Sequence, residues 1–205
     1  MNQYWRTLLV LAFTIFVPLT GCMSRIKYPT YYTLNLAPVP DPPARSGELA
    51  SIAVREFQSP AYLRQGRVVY FTSPEEIGFY EYHRWAVDPR QAITQTIIER
   101  LRAGGNFALV KTYDGRNDVD YILSGRLDRL DEADYGGGVR VEVALSAQVI
   151  DLHSGKTVWT NSASSTAKLE ERKVSGVVAQ MSSLTDRGIE ELLKSLALPS
   201  TTAKP

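Results

Sequence analysis

The chain has 205 residues, 44% of them hydrophobic and 22% charged, which suffices for one well-buried domain and is short for two. Its formal net charge of +1, with no basic block along the chain, gives no electrostatic reason for a polyanionic partner, so nucleic acid is not expected. A single cysteine, Cys22, excludes an intramolecular disulfide and limits any cysteine-based zinc site to one thiolate.

A short polar start carrying Arg6 leads into an apolar run from Thr7 to Leu19. The run is shorter than the roughly 20 apolar residues of a membrane-crossing helix and holds the helix-disrupting Pro18, so it reads as the hydrophobic region of a signal peptide. Leu19-Thr20-Gly21-Cys22 follows at once and resembles the lipobox of bacterial lipoprotein precursors. That resemblance implies that residues 1–21 are a removed signal peptide and that Cys22 carries covalent diacylglycerol and an N-acyl chain. Two or more acyl chains anchor a protein stably where one is marginal. Residues 22–30 then form a lipidated tether, 31–198 a periplasmic domain and 199–205 a flexible tail. In enterobacterial-type sorting an aspartate after the cysteine favours the inner membrane; Met23 stands there, which favours the outer one.

Tyr31 to Leu36 alternates like a strand and gives way to a proline-rich loop, Ala37 to Pro43, that cannot continue a ladder. Ser51 to Phe57 is a second strand. Arg67 to Phe71 and Gly78 to Tyr82, flanking the polar turn Ser73 to Glu76, suggest a hairpin. Asp88, Pro89 and Gln91 then form a capping-box-like helix start. Ile93, Ile97, Ile98 and Leu101 recur at helical spacing, and Gly104 and Gly105 supply the stop.

Phe107 to Lys111 is a short strand candidate, and Tyr121 to Leu127 and Val139 to Ile150 are longer ones. In the last of these Val139, Val141, Val143, Leu145, Ala147 and Val149 share a face opposite Arg140, Glu142 and Gln148, the pattern of a strand buried on one side. Asp151 to Lys156 is a turn, and Thr157 to Asn161 begins the returning strand. A final helix from Ser175 to Leu196 carries Val177, Met181, Leu184, Ile189, Leu192 and Leu196 on one stripe. The sum is a single α/β domain, with a mixed, largely antiparallel sheet packed by two main helices.

Tyr80, Tyr82, His83, Arg84 and Trp85 form the densest aromatic cluster, of residue types that dominate protein interfaces, and are the candidate partner-binding residues. The plainer reading is that alternate members fill the core while Arg84 stays solvated. Asp128, Asp131, Glu132 and Asp134 lack the spacing of a calcium loop and read as a solvated turn. His83 and His153, the only histidines, have no zinc-ligand spacing. There is no Gly-x-Ser-x-Gly elbow and no phosphate-binding glycine loop, and no catalytic, cofactor or metal residue is assigned.

Three segments are carried in order along the mature chain: Tyr31-Tyr32-Thr33-Leu34; Ser59-Pro60-Ala61-Tyr62-Leu63 leading to the Tyr80–Trp85 cluster; and Asp120-Tyr121-Ile122-Leu123-Ser124-Gly125. Together they resemble the ABC-type transport auxiliary lipoproteins, the PqiC-like outer-membrane lipoproteins of MCE-type transport systems. The resemblance implies a non-catalytic component that docks a lipid-moving conduit at the outer membrane, with nucleotide hydrolysis left to another subunit. Its implied partners are the MCE-domain protein of the same system and the outer membrane, with further copies of the chain an open alternative. The Asp120 segment and the Ser154 to Trp159 turn also resemble parts of secretion and wall-synthase activator lipoproteins, so an envelope-assembly or cell-wall-synthase regulator is the rival reading. A lipid carrier is a third, and it requires an apolar cavity.

Overall fold

The computed structural model describes residues 27–39, 49–170 and 172–196. The expected signal peptide, Cys22, most of the tether, part of the proline-rich loop and the 199–205 tail lie outside the described residues.

In chain order the elements are β1 (Thr30–Tyr32), β2 (Ser51–Val54), a 3-10 turn (Ala61–Gln65), β3 (Arg67–Phe71), β4 (Ile77–Trp85), α1 (Pro89–Gly104), β5 (Leu109–Thr112), β6 (Tyr121–Asp134), β7 (Val139–Asp151), β8 (Thr157–Lys168) and α2 (Val174–Lys194). The expected α/β domain with a mixed sheet and two main helices is what the chain forms.

β6 is the spine of the eight-stranded sheet. Along one edge it pairs antiparallel with β7, from Tyr121 opposite Asp151 to Asp134 opposite Val139, and β8 extends this meander. Two different strands share its other edge. β2 runs parallel to its first residues, Ile52 beside Tyr121, and β3 runs parallel to its last, Tyr70 beside Glu132. β5 extends the β2 wing, whereas β4 and β1 extend the β3 wing.

Between the wings the chain still satisfies the edge of β6. Gln58 donates its N–H to the Gly125 carbonyl at 2.9 Å and accepts from Leu127 N–H at 2.8 Å. Phe57, fully buried, presses its ring onto Gly125, where a Cβ would stand 2.0 Å from the ring. Only a residue without a side chain fits under that ring.

The alternation expected for β7 holds: Val141, Val143, Leu145, Ala147 and Val149 are buried. α2 packs on β7 and β8 and buries Val177, Met181, Leu184, Ile189 and Leu192. α1 packs on β5 and β2; its apolar side chains join the same core, and Arg100 on α1 pairs with Asp186 on α2. The opposite side of β6–β8 forms a polar, open trough of about 710 Å³ that includes Ser124, Arg126, Ser146, Gln148 and Ser162.

Several boundaries differ from the sequence reading, each for a physical reason. β1 ends at Tyr32 instead of Leu36, because Asn35 N–H donates to Ser182 Oγ and Ala37 N–H to Asp186 Oδ1, both at 3.0 Å on α2. β2 stops at Val54, and Phe57 N–H goes to Thr94 Oγ1 on α1 at 3.0 Å. β6 runs to Asp134, through the acidic stretch expected to be a turn.

Candidate functional site

The expected aromatic cluster falls on an irregularity in β4. Between the pairs Arg67–Arg84 and Val69–Phe79, β3 advances two positions and β4 five, so β4 carries three additional residues in the Tyr80–His83 stretch. Such a bulge bends the strand and re-aims its side chains. Tyr80 lies 5.0 Å from Tyr70 and 5.6 Å, edge to face, from His83. His83 in turn meets Tyr32, whose hydroxyl is 3.0 Å from Nδ1. The rings form one chain across β3, β4 and β1. Tyr70 covers Gly78, its cross-strand partner, where a Cβ would stand 2.2 Å from Tyr70 Cζ.

Tyr80, between Tyr70 and His83 in this chain of rings, is anchored on a buried acid, which corrects the reading of Asp128, Asp131, Glu132 and Asp134 as a solvated turn. Asp131 and Glu132 are both 0% exposed. Buried carboxylates persist only with partners, and here β6 supplies some and distant segments the rest. Glu132 lies opposite Val141 on the core side; its Oε2 accepts from Tyr80 Oη at 2.7 Å. Its Oε1 faces Arg172 Nε at 2.8 Å as an ion pair without an aligned hydrogen bond. Arg172 also pairs with Asp134 and lies 5.8 Å over the Tyr70 ring. Burial, and then the Glu132 carboxylate, push the Tyr80 phenol up to about 12.

Asp131 lies opposite Glu142 and is held by Arg129, at 2.8 and 3.1 Å, which also pairs with Glu142. Burial keeps the Asp131 carboxyl above its ordinary value despite the Arg129 guanidinium. Asp128 occupies a bulge in β6 and accepts from Arg126 Nε at 2.8 Å and Ser146 Oγ at 2.6 Å.

The five expected contact residues therefore separate. Trp85 is 8% exposed and belongs to the core. Tyr80 and His83 sit within the ring chain. Tyr82 stands apart under Lys27 Nζ at 5.5 Å, and half-buried Arg84 lies opposite Arg67 with its Nε buried and unpartnered. Tyr70, Glu132 and Arg172 complete the arrangement; the sequence names Glu132 only as part of a solvated turn and does not single out Tyr70 or Arg172. The cue for Glu132 was slight: Leu127, Leu130 and Ala133 interleave the acids.

A serine, an acid and a histidine also meet elsewhere, but in the wrong order for a catalytic relay. Asp120 Oδ2 accepts from Ser51 N–H and Oγ, both at 2.7 Å, and Oδ1 is 3.0 Å from His153 Nε2. A relay needs histidine between hydroxyl and acid; here the carboxylate is central and ties β2 to β6. The Ser51 N–H and the His153 ring hold Asp120 below the usual carboxylate range. Among the described residues no group of three or more His, Cys, Asp and Glu could hold a metal ion, and no helix is long and apolar enough to cross a membrane.

The family model of the ABC-type transport auxiliary lipoprotein component matches residues 32–192, from the end of β1 into the last turns of α2. The chain belongs to this family. As a transport auxiliary lipoprotein it is a membrane-anchored envelope protein and an auxiliary component of an ABC-type transport system. The matched span of this auxiliary lipoprotein takes in the ring chain and the Glu132–Arg172 pair.

Its fold is shared with a Xanthomonas campestris protein of the DUF330 family, at a TM-score of 0.67 and 16% identity over 80% of this chain and 92% of that one. An uncharacterised protein of known structure gives 0.63 and 16% over 83% of this chain and 99% of its own. No curated protein matches the chain by sequence.

Proposed function

We propose that the chain is an outer-membrane lipoprotein whose periplasmic domain docks the distal end of an MCE-type conduit and so couples lipid transport to that membrane. The family assignment over residues 32–192 carries this reading. Cleavage after residue 21 and acylation of Cys22 supply the anchor, residues 22–30 the tether, and 31–198 the docking domain, with 199–205 a tail. Met23 in place of the inner-membrane aspartate favours the outer membrane. The trough on the sheet is open and lined mainly by polar side chains, which suits a docking surface; the more apolar groove between α1 and α2, lined by Leu101, Phe107, Leu193 and Leu196, is about half its volume.

The test is replacement of the chromosomal copy by Cys22→Ser. The account expects the protein to leave the outer-membrane fraction and the cells to show the same envelope defect as loss of the MCE protein. Unimpaired envelopes with a soluble chain would contradict it.

A further inference from the structure

The side of β1, β4 and β3 away from the ring chain carries an arrangement that docking to a protein conduit does not explain. Tyr31 pairs with Arg84 across the parallel β1–β4 ladder, and Arg84 with Arg67 across the antiparallel β4–β3 ladder. Paired residues share a sheet face, so a tyrosine and two arginines stand in one row. Like charges directly opposite each other destabilise a sheet. Among the described residues neither guanidinium meets a carboxylate, and Arg84 Nε is buried with no partner. Arg90, Arg100, Arg126, Arg129, Arg140 and Arg172 do, whereas Arg55, Arg64, Arg102, Arg116 and Arg187 likewise form no ion pair among the described residues; what sets this row apart is the cross-strand pairing of two arginines and the buried Arg84 Nε.

Around this row the surface is aromatic and basic. Tyr28 and Tyr31 are 79% and 60% exposed, and Lys27 Nζ lies over Tyr82. Glu81 is exposed beside Tyr82. Tyrosine concentrates at the headgroup layer of membranes, where its ring is half wet, and arginine pairs with phosphate through two parallel hydrogen bonds.

The chain length places this edge near a bilayer. Lys27 is five positions beyond Cys22. Five residues reach at most about 18 Å when fully extended, and the eight from Cys22 to Thr30 about 29 Å, so an acylated Cys22 keeps Lys27 within about 18 Å, and the start of β1 within about 29 Å, of its anchor.

We propose that the Tyr31–Arg67–Arg84 face is a second membrane contact that binds the phosphates of anionic phospholipid headgroups and fixes the orientation of the domain. The proposal rests on the reading of Cys22 as lipidated and adds to it that the domain lies on the membrane by its β1 edge.

The test uses the full lipidated protein in vesicles of phosphatidylcholine, with or without phosphatidylglycerol, and follows phenylglyoxal modification of each arginine by mass spectrometry. Arg67 and Arg84 should be slowed by up to about 30-fold with phosphatidylglycerol, from the attraction of two basic side chains to an anionic surface. Arg126 in the polar trough should be unaffected, and high salt should remove the protection. Equal rates in the two vesicles, with acylated Cys22 confirmed on the N-terminal peptide, would overturn the headgroup contact and leave the anchor standing. An unacylated Cys22 would remove the anchor and this placement together.

Discussion

Tyr80 on β4 donates its hydroxyl across β3 to the fully buried carboxylate of Glu132 on β6, at 2.7 Å. Removing the donor leaves part of a buried charge unsatisfied, so Tyr80→Phe should cost about 2 kcal/mol of stability in urea unfolding. Glu132→Gln in the same background should add less than it costs alone, since the two side chains act as a unit. Full additivity would show that the hydroxyl and the carboxylate are energetically independent.

Gly125→Ala places a methyl where the Phe57 ring lies, 2.0 Å from the new carbon. Overpacking of this kind costs about 1–3 kcal/mol. In the double variant Gly125→Ala/Phe57→Leu the combined loss should be smaller than the sum of the single losses, because the ring that causes the clash is gone. A sum equal to the singles would place the strain elsewhere on β6.

The parts of the fold written in local signals were legible. Asp88, whose carboxylate accepts from Arg90 N–H at 2.9 Å, and left-handed Gly105 bound α1 as the sequence predicts. The strict alternation of β7 and the stripe of α2 needed no tertiary information. What was not legible depends on partners far along the chain. The acidic end of β6 reads as a turn until Arg172, 40 residues on, neutralises Glu132, and Tyr31 to Leu36 reads as one strand until Ser182 and Asp186 draw its second half away. The bulge that splits Tyr80, Tyr82, His83, Arg84 and Trp85 between core and surface is likewise a matter of register with β3, which no periodicity in β4 records.

The cap of α1 gives a direct check of that local reading. Asp88→Ala should cost about 1 kcal/mol, and Asp88→Asn much less, because a side-chain oxygen is retained. Equal losses in thermal unfolding would instead assign the effect to the ion pair with Arg90.

Asp120 predicts a pH dependence. Its folded pKa lies below the unfolded one, chiefly through the Ser51 N–H and then His153. The unfolded chain therefore binds more protons between the two values, and stability rises with pH across that window. The contribution is complete above the ordinary carboxylate value of about 4 and is lost as pH falls through the folded value. Asp131, raised by burial, has the opposite sign: its contribution declines as pH rises from the unfolded towards the folded value. Asp120→Asn should cost about 1 kcal/mol at neutral pH, and its difference from the parent should vanish in acid. A loss independent of pH would mean that the charge of Asp120 is not what stabilises.

The central claim, that this auxiliary lipoprotein meets an MCE protein at the outer membrane, is tested most directly by crosslinking the native protein in intact envelopes and identifying both its partners and its own N-terminal peptide by mass spectrometry. The account predicts an MCE protein among the crosslinked partners, together with acylated Cys22. Recovery of wall-synthesis enzymes alone would contradict it.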